Sequence, residues 1–285
     1  MQKLSAELEK RLGSAVESMP AFPKSVQRVL ELTRDINCRP KDLIEVIEKD
    51  PVITIKVLKV VNSAYYSLPN KITSINQAVV YLGVNTLKNL ALSFSTIGIL
   101  PRQNGAGFDI QHYLVSSLVT ANVTRSLCAK FAMDVDQNDA YITGLLLDFG
   151  KVVFAQFMPD EFSRALNLSE EYNMPLHKAE EAVIGTDHCL VGARLAKRWQ
   201  FPNSLVNCIA GHHGPEYATP LAQCLHVADL VAERLGYDSK GKISAAGGVE
   251  ALHVRFGGNL DSVISALGDT SIMIEEALQF SQAGA

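Results

Sequence analysis

"DPVITIKVLKVVNSAYYSLPNKITSINQAVVYLGVNTLKNLAL", residues 50–92, marks its own helix starts and stops in residue chemistry. Asp50 followed by Pro51 supplies a capping carboxylate and a residue already fixed at helical φ, so the pair predicts a helix over 51–64. Ser74 caps a second helix over 75–82, where Ala78, Val79 and Leu82 share one face. Gly83 ends it, because glycine takes the left-handed backbone that follows a helix, and Asn85 restarts a helix from 86 to about 99.

The same punctuation extends in both directions. Pro40 opens a helix over 41–49. The stretch 101–107 (PRQNGAG) contains proline and two glycines with few apolar residues, and reads as a linker. Longer helices follow at about 110–132, 137–157, 160–172, 176–184, 188–199, 203–211 and 219–235. A Gly- and Ser-rich loop over 236–248 leads to helices near 249–255 and 260–281. No segment sustains the alternation of a strand. The fold class is all-α. It divides into an N-terminal helical part over 1–100, the linker, a helical bundle over 108–235 and a C-terminal helical extension over 236–285. The tail's apolar residues (Val263, Ile264, Leu267, Ile272, Ile274, Leu278) favour packing.

Composition narrows the function. The 285 residues are 47% hydrophobic with a net charge of −4, and the pI is about 6.0. That balance disfavours nucleic-acid backbones as a partner. The longest apolar runs, such as 89–100, are too short and too polar to span a bilayer. The N-terminal segment alternates charge at helical spacing and lacks an apolar signal centre. These features predict a cytoplasmic protein with no membrane partner. Five cysteines (Cys38, Cys128, Cys189, Cys208, Cys224) with no CxxC pair fit reduced, packed thiols.

The polar residues that need explaining lie in apolar surroundings. "GLLLDFGKVVF", residues 144–154, places Asp148 and Lys151 in a leucine- and phenylalanine-rich run. A buried carboxylate needs a partner, so Asp148 is expected to bond to His212 or His213, or to pair with Lys151. His188 follows a cap at Asp187, and His212–His213 end a helix. Asp229 lies on an apolar face one turn after His226. Singly, His188, His226 and Asp229 read as ordinary solvated or structural groups. Together His188, His212, His213, Asp148 and Asp229, three imidazoles and two carboxylates, form the donor inventory of a helical N/O metal site. His112 and His177 lack partners at ligand spacing and read as surface, and His253 is unassigned. No Walker, GxSxG or HExxH motif is present, and Asp148-Phe149-Gly150 lacks the companion motifs of a kinase.

Residues 50–92 resemble the HDOD domain signature at Asp50-Pro51, Asn62-Ser63-Ala64, Ser74-Ile75, Ala78, Leu82-Gly83 and Leu90. The resemblance continues through 144–151, 184–202 and 209–215 and covers roughly 17–230. HDOD domains are bacterial relatives of the HD phosphohydrolases, so it implies an HD-like multi-helix bundle preceded by an N-terminal helical sub-domain. It also aligns Leu147-Asp148 with the family's His-Asp pair, Ser116 with an earlier His and Asp229 with a late Asp. His188, His212 and His213 match the further histidines of the two-metal branch. Leucine has no lone pair and a neutral serine hydroxyl is a poor ligand. The expectation is therefore a vestigial site and a non-catalytic signal-transduction output or scaffold module with no cofactor. A signalling-protein partner, a nucleotide ligand and a homodimer are its implied associations. The alternative is a residual metal-dependent phosphohydrolase acting on nucleotides or cyclic dinucleotides. A weak divalent transition metal would then sit on Asp148, His188, His212, His213 and Asp229, with Lys151 on phosphate.

Overall fold

The computed structural model describes residues 4–34, 39–101, 103–213, 219–237 and 252–284. Cys38, most of the loop expected over 236–248, and the start of the helix expected near 249 lie outside them. The described residues are helical throughout, with no strand.

The N-terminal part contains α1 (Ala6–Ser18), α2 (Lys24–Arg34), α3 (Pro40–Glu48), α4 (Pro51–Val61) and α5 (Ile75–Gly98). Asp50 caps α4 as its chemistry requires: Oδ1 accepts from the backbone N–H groups of Val52 (3.1 Å) and Ile53 (3.2 Å). Asn62 ties the end of α4 to the following loop. Its Nδ2 donates to the carbonyls of Leu58 and Ile72, each at 2.8 Å, and its Oδ1 accepts from the Ile72 N–H at 2.8 Å. Asn62→Ala removes all three bonds from a half-buried position and is expected to cost about 2–3 kcal/mol, read as a lower urea midpoint at unchanged m-value.

At Gly83 the structure differs from the sequence expectation. The helices predicted over 75–82 and 86–99 run as one element, broken by a single residue at φ 78°, ψ 162°. Glycine reaches that backbone at no steric cost, so the chain turns there and resumes without a loop.

The bundle is built on α6 (Ile110–Phe131), which carries buried side chains around its circumference. Around it stand α7 (Gln137–Leu146), α8 (Phe149–Phe157), α9 (Pro159–Glu171), α10 (Leu176–Val183), α11 (His188–Arg198), α12 (Asn203–Gly211) and α13 (Pro220–Arg234). Beyond a short 3-10 turn at Val254–Phe256, the tail forms α14 (Leu260–Leu267) and α15 (Ser271–Gly284). α15 packs on α4, α5 and α6 and joins their core through Ala277 and Phe280. The apolar core is continuous from Leu12 in α1 to Ala283 in α15.

Two features position the site. The expected helix over 137–157 is interrupted at Leu147-Asp148. The stretch Gln137–Phe157 is long and apolar enough to cross a membrane by length and composition, but 83% of its 18-residue window is buried inside the protein. The second feature is the crossing of α8 and α11 at Gly150. A Cβ placed there would lie 2.0 Å from the His188 carbonyl oxygen. Only a residue without a side chain lets the two backbones meet so closely, and the contact brings His188 alongside Asp148.

α1 clasps α11 from outside. Arg194 makes a bidentate pair with Glu9 at 2.6 and 2.8 Å. Arg198 donates to the Met19 carbonyl at 2.8 Å, and Trp199 Nε1 donates to the Pro20 carbonyl at 3.1 Å.

Candidate metal centre

Asp148 occupies the joint between α7 and α8. It stands at the N-terminus of α8 but its side chain makes no capping bond, so the carboxylate is left for other partners. Lys151, one turn on, sends its amine to Oδ2 at 2.6 Å. The lysine side chain is only 5% exposed, so this is a buried ion pair. Burial opposes ionisation of Asp148, but the Lys151 charge and the contacts with His188 and His212 outweigh it and hold the carboxyl well below its usual range. Burial also opposes the Lys151 cation; Asp148, Asp229 and Glu180 outweigh it and raise the amine.

The other oxygen, Asp148 Oδ1, lies 3.1 Å from His188 Nε2 and 3.5 Å from His212 Nε2. Neither approach has hydrogen-bond geometry, and Oδ1 is a buried acceptor with no hydrogen-bond partner.

The imidazoles are fixed from behind. His188 Nδ1 lies 2.6 Å from Glu180 Oε2, which also accepts the His188 backbone N–H at 2.9 Å. His212 Nδ1 lies 2.8 Å from the Ile209 carbonyl. Neither acceptor can donate, so both protons sit on Nδ1. When both rings are neutral, as metal binding requires, their Nε2 atoms present lone pairs toward one another, 3.4 Å apart. Two lone pairs and an unsatisfied carboxylate oxygen facing a common point repel unless a cation or protons lie between them.

The spacing fits a metal. Ligands about 2.05 Å from a tetrahedral ion stand about 3.3 Å from one another, against separations of 3.1, 3.4 and 3.5 Å here. Glu180 supplies the carboxylate behind the histidine that metal sites use to fix the ring and its tautomer.

A second set of donors overlaps the first. His188, Cys189, His212 and His213 bring one ligand atom each to within 4.8 Å of one another. His213 stacks on His177 with centroids 4.2 Å apart and an 18° interplanar angle. Burial and the neighbouring His212 and His188 drive His213 far down, so it is neutral. Burial also lowers His177, with help from His188, to about 4. Asp229 feels the charges of Asp148, Lys151 and His212 and is pushed up to about 6, chiefly by burial. It makes no ion pair with those groups among the described residues.

Several expectations change. The site was expected to be too poor in donors because Leu147 and Ser116 replace family histidines. Leu147 is indeed buried in the core, and the Ser116 hydroxyl donates to the Tyr237 carbonyl at 2.5 Å. Yet α11 and α12 supply an intact, buried His188/Cys189/His212/His213 cluster able to chelate a metal. That cluster overturns the expectation of a non-catalytic scaffold and of a protein that is not an enzyme. Cys189 is a member of the cluster and not a packed thiol. His177 is half-buried against His213 and not a surface residue. Glu180 carried no signal: in "KAEEAV" it reads as one of two exposed helix charges, and only the α10–α11 turn brings it beneath His188.

The electrostatics predict a pH effect. Burial pulls His212 down, but Cys189 and Asp148 outweigh it and lift the imidazole from 6.5 to about 10. His188 likewise resists its burial and rises well above 6.5, chiefly through Glu180. A group raised on folding contributes stability below its unfolded pKa and loses it as pH climbs through the folded one. Chelator-treated protein should therefore lose melting temperature progressively between pH 6.5 and about 10. Asp148, depressed, and Asp229, raised only to about 6, change little in that window, while Cys189, whose burial is outweighed by His212 and His188 so that its thiol stays below 9.0, offsets part of the loss. With metal bound, the imidazoles are already deprotonated, so the gap between loaded and stripped melting temperatures should widen with pH.

Comparison with known proteins agrees with this architecture. The HDOD domain family model matches residues 19–215. A Geobacter sulfurreducens HDOD domain protein of unknown function superposes with a TM-score of 0.74 at 26% identity, covering 97% of this chain and 98% of that one. A Shewanella amazonensis protein, named as a candidate phosphohydrolase, gives a TM-score of 0.67 at 22% identity over 96% and 97% of the two chains. A Treponema pallidum protein with no assigned role is 25% identical over 240 residues. The match covers 81% of this chain, which spans about half the length of that relative, 45%. With the signature half, the broken α7–α8 joint and the matching family model in agreement, the chain belongs to the HDOD domain family.

Proposed function

We propose that this chain is a metal-dependent phosphohydrolase whose substrates are phosphate esters of the nucleotide or cyclic-dinucleotide type. The observation that carries this reading is the triangle of Asp148 Oδ1, His188 Nε2 and His212 Nε2, three buried donors at ligand-to-ligand spacing, of which Oδ1 has no hydrogen-bond partner. A divalent transition metal bound there would polarise a phosphoryl oxygen and lower the pKa of a bound water.

The protein's own residues prepare that chemistry. Lys151 neutralises Asp148 and keeps it ionised, so its amine is engaged with the carboxylate before any phosphate arrives. Glu180 fixes the His188 tautomer, and the Ile209 carbonyl fixes that of His212. His213 and His177 form a neutral stacked wall beside the donors, which adds no positive charge to compete with a cation. The phosphohydrolase name of the Shewanella amazonensis relative is in keeping with this assignment. A signalling-protein partner, a homodimer and a reducing cytoplasmic setting complete the proposal. The last suits the buried free thiols Cys128, Cys189, Cys208 and Cys224.

The test is elemental analysis of protein purified without chelator, followed by assay of a chromogenic phosphodiester and of cyclic dinucleotides with added Mn²⁺, Fe²⁺ or Zn²⁺. The expected result is near-stoichiometric metal and turnover that chelator removes and His212→Ala abolishes. Protein that takes up no metal under any loading condition would overturn the proposal.

A further inference from the structure

We propose that Cys189 ligates the metal as a thiolate, so that the centre takes zinc- and cobalt-class cations and discriminates against magnesium and manganese. The inference deepens the metal-centre reading and rests on it.

Cys189 follows His188 at the start of α11 and is 2% exposed. Its Sγ lies 3.8 Å from His212 Nε2 and shares a cluster with ligand atoms of His188 and His213, all within 4.8 Å of one another. An ion with bonds of about 2.3 Å to sulfur and about 2.05 Å to nitrogen separates those two ligands by about 3.6 Å in a tetrahedron. The observed distance is therefore that of two donors sharing one ion, with a few tenths of an ångström to close. The turn that brings His188 onto Asp148 necessarily brings its neighbour to the same place. The Gly150 crossing fixes the backbone of that turn, and the Asp187 cap holds it at Leu190 N, 2.9 Å away.

The other described cysteines have different surroundings. Cys208 Sγ lies 3.7 Å from the Thr219 hydroxyl. Cys128 and Cys224 are fully buried in the α6–α13 core. Among the described residues, Cys189 is the cysteine placed among imidazoles.

Ligand softness then sets the choice of ion. Thiolate and imidazole favour zinc, cobalt and copper, whereas magnesium and manganese favour all-oxygen shells. With His188, His212 and Cys189 as three protein ligands, Asp148 Oδ1 and an incoming oxygen contend for what remains, which leaves room for substrate. Asp148 alone would make the site oxygen-tolerant; Cys189 beside it makes the site thiophilic.

The experiment uses the full chain, stripped with chelator and titrated with Co²⁺ under reducing conditions. The expected spectrum has an intense near-ultraviolet thiolate-to-cobalt charge-transfer band, saturating at one equivalent, alongside weak visible bands. Cys189→Ser should lose the charge-transfer band while still binding cobalt. Its zinc affinity should fall by at least the roughly 10–100-fold that loss of an outer-sphere partner costs, with a smaller change for manganese. Cys208→Ser should keep the band, and circular dichroism confirms that both variants fold. Cobalt bound without a charge-transfer band in the parent, or a band that survives Cys189→Ser, overturns the thiolate assignment but leaves chelator-sensitive hydrolysis standing. No cobalt bound at all overturns both.

Discussion

Replacing Asp148 by alanine is expected to abolish chelator-sensitive hydrolysis and to cost about 3–5 kcal/mol of stability. The two losses have different origins. Hydrolysis goes because Oδ1 is the oxygen donor facing His188 and His212. Stability goes because the Lys151 amine, on a side chain 5% exposed, is left charged and unpaired. A double-mutant cycle separates them. Lys151→Met alone strands the carboxylate and should also destabilise. Asp148→Ala combined with Lys151→Met removes both charges and should recover much of the melting temperature while hydrolysis stays absent. If the single Asp148 variant melts like the parent, the pair is solvated and the buried-site geometry is wrong. If the double variant regains hydrolysis, Asp148 is not a ligand.

The second large effect is at Gly150. Gly150→Ala puts a methyl group 2.0 Å from the His188 carbonyl oxygen and 2.9 Å from its Cα. Both atoms belong to backbone, so no rotamer change relieves the overlap, and α8 and α11 must move apart by more than an ångström. Overpacking costs about 1–3 kcal/mol when side chains can yield, and more when they cannot. A loss of about 3 kcal/mol or greater is expected, read by denaturant unfolding. Metal affinity should fall further than stability suggests, because the displaced atoms are His188's own while Asp148 stays with α8. A folded Gly150→Ala protein with unchanged zinc affinity would show that the donor triangle does not depend on this crossing.

Helix starts were the most legible part of the sequence, because capping is local chemistry. Asp50, Ser74 and Asp187 each precede a helix, and each side chain accepts from a backbone N–H in the first turn. Interruptions were harder. Gly83 was read as a stop and is a one-residue break. Leu147-Asp148 was read as continuous helix and is a joint, because nothing in "LLLDFG" forbids helical backbone. Asp148, His188 and His212 were identifiable through family resemblance, and spacing alone would not have united them, since they come from three elements. Glu180 and Cys189 were invisible for opposite reasons. An acidic residue on an amphipathic helix ordinarily faces water, and a buried cysteine is ordinarily packing. What brings Glu180 against His188 and Cys189 against His212 is a tertiary turn. The inference that losing two histidines empties the site failed for the same reason: it named His188, His212 and His213 but could not see them converge with Cys189.

The clasp between α1 and α11 has a consequence for the order in which this protein is made. Glu9 and Arg194 are 185 positions apart, so a chain growing at about 5–20 residues per second carries α1 for roughly ten to forty seconds before α11 is translated. During that interval the apolar face of Leu12, Ala15 and Val16 has no α11 to cover it. A ribosome paused anywhere between the two helices would display that face to whatever chaperone stands at the exit tunnel.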